Sequence, residues 1–254
     1  ISETIQDVEY MYPSFLHHAE TELAHFLTAL MNGSNSLAGI DAGKAIDWVQ
    51  KKIELELSPS QKEAIGDAMS NKVLVITGGP GVGKTTIVDS ILRIFTAKRL
   101  SCLLCAPTGR AAKRLSEATE REAKTIHRLL EFSPYAGGFQ KDADNPLACD
   151  AVIVDEVSMV DLALMFHLVR AIPTGAILIM VGDVDQLPSV GPGNVLSDLT
   201  ESDVVPVVRL TEVFRQAAES RIIVNAHSIN EGRMPALEKG EDEECDFYFV
   251  EAET

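Results

Sequence analysis

The most distinctive chemistry of this chain lies in a glycine-rich segment that follows an apolar run. Residues 73–77 read VLVIT, and residues 78–86 continue as GGPGVGKTT, which satisfies the spacing G-x4-G-K-T. This order predicts a strand, a phosphate-binding loop (P-loop) and a helix, an arrangement that turns backbone N–H groups toward a triphosphate. We therefore predict a nucleotide site formed by Gly79, Pro80, Gly81, Val82, Gly83, Lys84, Thr85 and Thr86.

Two side chains of the P-loop have predicted roles of their own. Lys84 is placed to reach the β- and γ-phosphates, and the Thr85 hydroxyl is placed to bind Mg²⁺. A tight glycine turn without a ligand is the alternative, but it requires neither of these side chains. The spacing thus predicts ATP and Mg²⁺ as the bound groups, with Lys84 as a catalytic residue.

Two adjacent acids end a second apolar run. Residues 152–156 read VIVDE, and an acid at the end of a buried strand needs a partner for its charge. A Mg²⁺ beside the P-loop would be that partner for Asp155. Glu156, one residue further, is then free to take a proton from an attacking water as a general base.

Two later residues are candidates for contact with the γ-phosphate. Gln186, in the segment GDVDQLP at 182–188, both donates and accepts hydrogen bonds, so it suits the γ-phosphate and the attacking water. Arg215, in LTEVFRQ at 210–216, offers a planar cationic fork for phosphate oxygens. On spacing alone, a turn rich in Gly and Asp and an isolated surface arginine remain as alternatives.

The elements that position these residues follow from the alternation of apolar runs and amphipathic stretches after residue 58. Apolar strands joined by helices predict an α/β fold with a mostly parallel sheet, flanked by helices, that binds ligands at the carboxyl ends of its strands. Residues 1 to about 52 look helical and acidic instead. We expect strands at 73–77, 101–105, 151–155, 176–181 and 205–209, and helices near 60–69, 84–98, 108–118, 160–171 and 217–231.

Charge is distributed unevenly along the chain. The net charge is −16, yet residues 93–128 hold nine basic and three acidic side chains, a local charge of +6. A basic stripe of this kind is typical of a nucleic-acid contact inside an otherwise acidic protein. A run of about 18 apolar residues does not occur, so no association with a membrane is expected.

The four cysteines predict buried thiols rather than a disulfide framework. Cys102 and Cys105 form C-x-x-C within an expected strand, where an odd spacing points the two thiols to opposite faces. They therefore cannot easily share a metal or a disulfide. Buried free cysteines fit a reducing cytoplasm.

Taken in order, the motifs resemble those of superfamily 1 DNA helicases, most closely the RecD and TraA branch. GGPGVGKTT is similar to the first motif of that family, VDE to the second, GDVDQLPS to the third and LTEVFRQ to the fourth. The segment LSPSQKEAI at 57–65 looks like the adenine-recognising motif, in which Gln61 would bond the base edge. The resemblance covers about residues 57–235 and implies that Gln186 and Arg215 contact the γ-phosphate.

The basic stripe acquires a role from the same resemblance. CAPTGRAA at 105–112 resembles the motif that grips the backbone of a single strand, and TIHR at 125–128 resembles the neighbouring DNA-contacting motif. Hydroxyl, backbone and cationic groups bind phosphates there without reading base sequence. The DNA contacts that this implies are Thr108, Gly109, Arg110, Lys113, Arg114 and His127.

The resemblance also implies a domain organisation. Residues 57–254 would form a RecA-like ATPase motor domain, preceded at 1–56 by a helical N-terminal domain or its remnant. Members of this family have a second RecA-like domain, and no counterpart follows Thr254. Because the chain also begins with Ile rather than Met, we expect a fragment of a longer protein that hydrolyses ATP poorly by itself.

The leading hypothesis is part of an ATP-dependent 5′ to 3′ DNA helicase of recombination or double-strand-break repair. Its expected partners are single-stranded DNA and other subunits of a recombination complex, and its expected location is the cytoplasm. The alternative is a nucleotide-gated DNA-binding module without unwinding, such as the helicase-like part of a conjugative relaxase. A P-loop kinase is disfavoured, because no acceptor-binding lid is recognisable and two adjacent acids suit water activation.

Overall fold

The structure is a computed structural model that describes residues 1–5, 7–35, 37, 39–213, 220–237, 246–247 and 250. At the start lies an antiparallel hairpin of β1 (Ser2–Ile5) and β2 (Val8–Met11). The helical interpretation is therefore wrong for this segment. Its valine and tyrosine favour strands, and Asp7, with a φ of +64°, has the left-handed backbone that a short hairpin turn requires.

A parallel sheet forms the centre of the rest of the described chain. It contains six strands in the spatial order β5-β4-β6-β7-β3-β8, which confirms the predicted α/β fold. The residues of β3, β6 and β7 are all buried, as expected for strands covered on both faces. The strands are β3 (Val73–Thr77), β4 (Cys102–Ala106), β5 (Ala123–Thr125), β6 (Ala151–Val154), β7 (Ile177–Gly182) and β8 (Val207–Arg209).

Helices cover both faces of this sheet. Several begin directly after a capping side chain, which moves their first residue relative to the predicted bounds: Asp161 caps the helix that starts at Leu162, and Thr108 caps the one that starts at Gly109. The helices are α1 (Ser14–Met31), α2 (Ala42–Ile53), α3 (Pro59–Ser70), α4 (Lys84–Ala97), α5 (Gly109–Thr119), α6 (Ile126–Leu129), α7 (Leu162–Arg170), α8 (Val195–Glu201) and α9 (Arg221–Asn230).

Alternate residues of the buried central strands enter two separate cores. Val73 and Val75 of β3 belong to the core on one face, and Leu74 and Ile76 belong to the core on the other. Helices α1 and α7 cover the first face, and α2, α3 and α4 cover the second. Residues 1–56 thus contribute a helix to each core, and their predicted status as a separate domain remains a prediction.

Cys102 and Cys105 follow the predicted arrangement on β4, and Cys245 lies outside the described residues. Cys105 lies in the core of the first face, and Cys102 packs against the core of the second, so the two thiols point to opposite sides of β4. Burial raises the pKa of Cys102 to about 11 and keeps that thiol protonated. Within the described ranges, none of the helices combines the length and the apolar character that crossing a membrane requires.

Candidate nucleotide-binding site

The predicted nucleotide residues lie together at the carboxyl edge of the sheet. Strand β7 pairs with both β3 and β6, so the ends of these three strands are neighbours. The P-loop follows β3, the Asp155-Glu156 pair follows β6, and Asp183 follows β7. Because adjacent strands are about 4.8 Å apart, the fold brings three acids from two strands to the side of one phosphate-binding loop.

The P-loop backbone presents its N–H groups to a ligand. Gly81 and Gly83 have φ values of +78° and +84°, the left-handed region that glycine adopts without strain. Helix α4 begins directly after them. Among the described residues, the N–H groups of Gly79, Gly81, Val82 and Gly83 have no hydrogen-bond acceptor. Together with the positive end of α4, they form a site for an anion.

The carbonyl groups of the same loop accept hydrogen bonds from side chains of three helices. Because each peptide unit is planar, a carbonyl held by a hydrogen bond also holds the orientation of its peptide plane. These bonds therefore set the directions of the free N–H groups. Lys84 Nζ donates to the carbonyl oxygens of Gly78 and, over 2.9 Å, of Gly79. Gln61 Nε2 donates to the Val82 oxygen over 3.0 Å, and His227 Nε2 donates to the Pro80 oxygen over 3.1 Å.

Gln61 supports the P-loop from α3. Its side chain is fully buried, and its Oε1 accepts the Ser58 N–H over 3.0 Å in a capping box that starts the helix. The amide thus bonds within the protein through both of its ends. The predicted contact of Gln61 with a base edge stays a prediction.

Lys84 lies among the carboxylates that follow the neighbouring strands. Its Nζ is 4.0 Å from Asp183 Oδ2. Burial lowers the pKa of Lys84, while the charges of Asp183, Glu156 and Asp155 oppose this shift. A partly desolvated ammonium group at this place interacts strongly with a phosphate.

The two adjacent acids have different environments. Burial, reinforced by the charge of Glu156, raises the pKa of Asp155 to about 6. Glu156 has a φ of +54°, an uncommon conformation for a residue with a side chain. Its Oε2 atom is buried and has no hydrogen-bond partner among the described residues. An oxygen held in this way is available to a water molecule or a ligand.

The chemistry of these groups fits a nucleotide-bound Mg²⁺. Groups of three or more His, Cys, Asp or Glu residues that would form a complete cage do not occur in the described part of the chain. Mg²⁺ instead takes most of its oxygen ligands from phosphates and water, with one or two from protein. The Thr85 hydroxyl, at the exposed start of α4, and the Asp155 carboxylate are the suitable protein groups.

The two predicted γ-phosphate residues have different outcomes. Gln186 is exposed after β7, and its Nε2 donates to Asp183 Oδ2 over 3.3 Å, which places it beside the acid nearest to Lys84. Arg215 lies outside the described residues. The contact of either residue with a phosphate stays a prediction.

The predicted DNA residues follow β4 and β5, which are adjacent strands. Thr108 caps α5, its Oγ1 accepting the Ala111 N–H over 3.2 Å. His127 is exposed on α6, and its ring centroid is 5.6 Å from that of Phe132. The remaining predicted contacts are exposed on the first two turns of α5, at Gly109, Arg110, Lys113 and Arg114.

Comparison with known proteins identifies the family. Residues 61–192, more than half of the chain, match the AAA domain family. The chain belongs to this AAA domain family. The match begins at Gln61 and extends beyond Gln186, so it contains the P-loop and all three acids of the site.

Relatives of this AAA domain chain confirm the resemblance to the RecD branch. It is 40% identical over 227 residues to the ATP-dependent RecD2 DNA helicase of Deinococcus radiodurans, covering 89% of this chain and 31% of that protein. It is 43% identical over 164 residues to the RecBCD enzyme subunit RecD of Mycobacterium tuberculosis, covering 56% of this chain and 28% of that protein. The chain thus spans less than a third of the length of these relatives.

A solved structure agrees with the architecture. The Pif1 helicase from Candida albicans superposes with a TM-score of 0.53 and 21% sequence identity, over 74% of this chain and 50% of that one. At this identity the likeness concerns the fold, a parallel sheet between helices.

The sequence motifs do not predict three residues of this site. One is Asp183, which contacts Lys84. The others are Glu212, which contacts the start of α3, and His227, which contacts the P-loop. Asp183 has a local signal, because it follows an apolar strand next to Gly182. The other two contacts join residues about 150 positions apart, and spacing does not predict such pairs.

Proposed function

We propose that this chain is the ATP-hydrolysing motor part of a 5′ to 3′ DNA helicase that acts in recombination or double-strand-break repair. The observation that carries the proposal is the P-loop, whose carbonyls are held by side chains while its N–H groups are free beside three acids. The relatives named RecD and RecD2 helicase support the substrate class and the pathway.

In the proposed reaction, the triphosphate binds to the free N–H groups of the P-loop and to the Lys84 ammonium group. Thr85 and Asp155 would hold Mg²⁺, which neutralises charge on the phosphate oxygens. Gln61 holds the loop in place through Val82. Gln186 and Arg215 are proposed to contact the γ-phosphate, so that negative charge developing there is stabilised.

Glu156 is the proposed general base. It would accept a proton from the attacking water on its buried, unpartnered Oε2 while the water oxygen attacks the γ-phosphorus, the bond from that phosphorus to the bridging oxygen breaks, and ADP leaves. Its left-handed backbone supports a functional role, because such conformations are retained where the surrounding structure holds them.

Single-stranded DNA is the proposed polymer partner. The exposed groups of α5 and α6 follow β4 and β5, on the same edge of the sheet as the P-loop, with β6 and β7 between them. Backbone phosphates would bind there through Thr108, Gly109 and the cations of α5, and His127 would contact the strand nearby. This separation allows DNA and nucleotide to bind at once.

The remaining parts of the proposal concern the whole protein. We propose that residues 57–254 form one motor domain and that residues 1–56 belong to a preceding domain whose helices pack on it. Other subunits of a recombination complex are proposed partners, supported by the relative named a subunit of the RecBCD enzyme. A cytoplasmic location is supported by the free thiols of Cys102, Cys105 and Cys149.

Two substitutions in the full-length protein test the ATPase. Lys84→Ala should weaken Mg·ATP binding at least tenfold, because it removes the cation nearest to the phosphates. Glu156→Gln should preserve binding in a fluorescent-nucleotide titration but lower DNA-stimulated phosphate release at least a hundredfold. Glu54→Gln, the same change at another left-handed residue, is the matched control and should alter neither quantity.

Three outcomes would contradict the proposal. Unchanged turnover in Glu156→Gln would exclude this residue as the base. Strand displacement only on 3′-tailed substrates would refute the 5′ to 3′ direction, and DNA binding that responds to ATP without any displacement would favour a nucleotide-gated module.

A further inference from the structure

His227 of α9 contacts the P-loop at Gly79 and Pro80. Its Nε2 lies 3.1 Å from the Pro80 carbonyl oxygen, and because a carbonyl only accepts, Nε2 carries the proton and donates it. The ring also lies against Gly79. A Cβ atom at that position would be 2.9 Å from His227 Cε1, and the three heavy atoms nearest to it would all belong to this imidazole. A side chain at position 79 would therefore force the imidazole of His227 to move, and no backbone atom is among the three nearest.

Helix α9 is held in a defined position while leaving space beside this contact. Ser220 caps its first turn, and the buried Asn225 bonds both the N–H and the carbonyl group of Ala236 in the segment that follows. A cavity of about 200 Å³ separates α9 from the carboxyl ends of β3 and β8 next to His227. His227 thus both lines this cavity and contacts the P-loop.

The hydrogen bond to Pro80 determines the direction of a P-loop N–H group. In a trans peptide the carbonyl group and the following N–H point in opposite directions. While His227 holds the Pro80 oxygen toward α9, the Gly81 N–H points away from α9. The Gly81 N–H is one of the groups that have no acceptor among the described residues.

We propose that His227 is a positioning residue that couples α9 to the P-loop, so that nucleotide binding and the position of α9 are linked. The proposal rests on the proposed function, because it assigns the free N–H groups to a phosphate. Linkage is reciprocal: if α9 orients the loop for a nucleotide, then the nucleotide holds α9 in place to the same extent.

The first test is a double-mutant cycle without nucleotide. Gly79→Ala should lower the melting temperature by about 3–6 °C in the native background, because the new methyl group overlaps the imidazole. In the His227→Ala background the same change should lower it by about 1 °C or less. An equal loss in both backgrounds would show that Gly79 is required for another reason and would overturn the contact.

The second test measures the coupling with Mg·ADP. His227→Ala should weaken the affinity about fivefold, the effect of losing one hydrogen bond, while His227→Gln, which retains a donor, should stay within about twofold. Mg·ADP should slow amide hydrogen exchange in residues 221–230 of the native protein but not of His227→Ala. His25→Ala, at an exposed histidine of α1, is the matched control.

The outcomes separate this proposal from the proposed function. If the native protein binds Mg·ADP and Lys84→Ala does not, the nucleotide site is established. Equal affinities and equal exchange for the native protein and His227→Ala would then overturn the role of His227 alone. A native protein that binds no nucleotide would refute the proposed function and the linkage together, and the melting cycle would still decide whether the contact exists.

Discussion

Asp155 is the residue at which the proposed chemistry most clearly lowers the stability of the folded protein. Its pKa of about 6 is raised first by burial and then by the charge of Glu156. At neutral pH the folded protein therefore carries a carboxylate that its surroundings destabilise. Such a cost is common at functional sites, because a ligand that neutralises the charge recovers the energy.

Asp155→Asn should accordingly stabilise the Mg²⁺-free protein. Since the folded-state pKa lies above the unfolded value of 3.8, the penalty grows as pH rises between these values and is complete above pH 6. At pH 7.5 the substitution should add up to about 3 kcal/mol to the unfolding free energy, and at pH 5.5 roughly 1 kcal/mol less. Urea denaturation in EDTA measures the unfolding free energy at both pH values.

The matched control is Asp185→Asn, which removes an exposed carboxylate near the end of β7 and should change stability little. Equal or lower stability of Asp155→Asn at pH 7.5 would contradict the destabilised state of this acid.

At the scale of elements, α3 is joined to the segment after β8 by a long-range contact. Ser58 Oγ donates to Glu212 Oε2 over 3.1 Å, and the Ser60 hydroxyl donates to the same oxygen. The bond from Ser60 is the main reason why the pKa of Glu212 lies below its ordinary value. The carboxylate therefore fixes the start of α3, from which Gln61 reaches the P-loop.

Ser60→Ala and Glu212→Gln should each lower the melting temperature at pH 7.5 by a few degrees, and the double variant should lose little more than Glu212→Gln alone, which also weakens the bond from Ser58. The two side chains form one interaction, so their effects are not additive. Because the folded-state pKa of Glu212 is lowered, the contribution is complete above the ordinary pKa of Glu and is lost as pH falls through the lowered value.

Calorimetry checks the prediction, with Glu63→Gln, an exposed acid on α3, as the control. Additive losses in the double variant would mean that the serines and Glu212 act separately.

The sequence predicts elements and sites well where the signal is local. The five expected strands are present because each coincides with an apolar run in the sequence, whereas β5 reads AKT without such a run, and α8 has only seven residues, too few for a periodic pattern. The P-loop is recognisable for the same reason, since its residues are consecutive. The partners of Gln61, Glu212 and His227 depend on how distant segments pack, and no local pattern contains that information.

At the scale of the whole molecule, the sheet separates opposite charges. The chain carries a net charge of −16, yet the helix that follows β4 presents Arg110, Lys113 and Arg114 to solvent. The acids of the nucleotide site follow β6 and β7, closer to the P-loop. The net negative charge of the protein therefore repels a polyanion, and the cations of α5 attract it at one part of the carboxyl edge.

The charge of α5 should dominate DNA binding. Replacing Arg110, Lys113 and Arg114 with Gln should weaken binding of single-stranded DNA about tenfold or more at low salt. It should also reduce the slope of log affinity against log salt concentration by about 2. The reason is that three phosphate contacts are lost, and the DNA counterions that they displace are no longer released. Fluorescence anisotropy with a labelled oligonucleotide measures both quantities across a salt titration.

The control Lys51→Gln/Lys52→Gln removes two exposed cations at the end of α2 and should leave the slope nearly unchanged. Nucleotide affinity should stay the same in both variants, since β6 and β7 separate α5 from the P-loop. If the α5 variant keeps the native slope, the phosphates contact another surface. If both variants reduce it equally, DNA responds only to net charge, and the acidic surface does not direct the strand to α5.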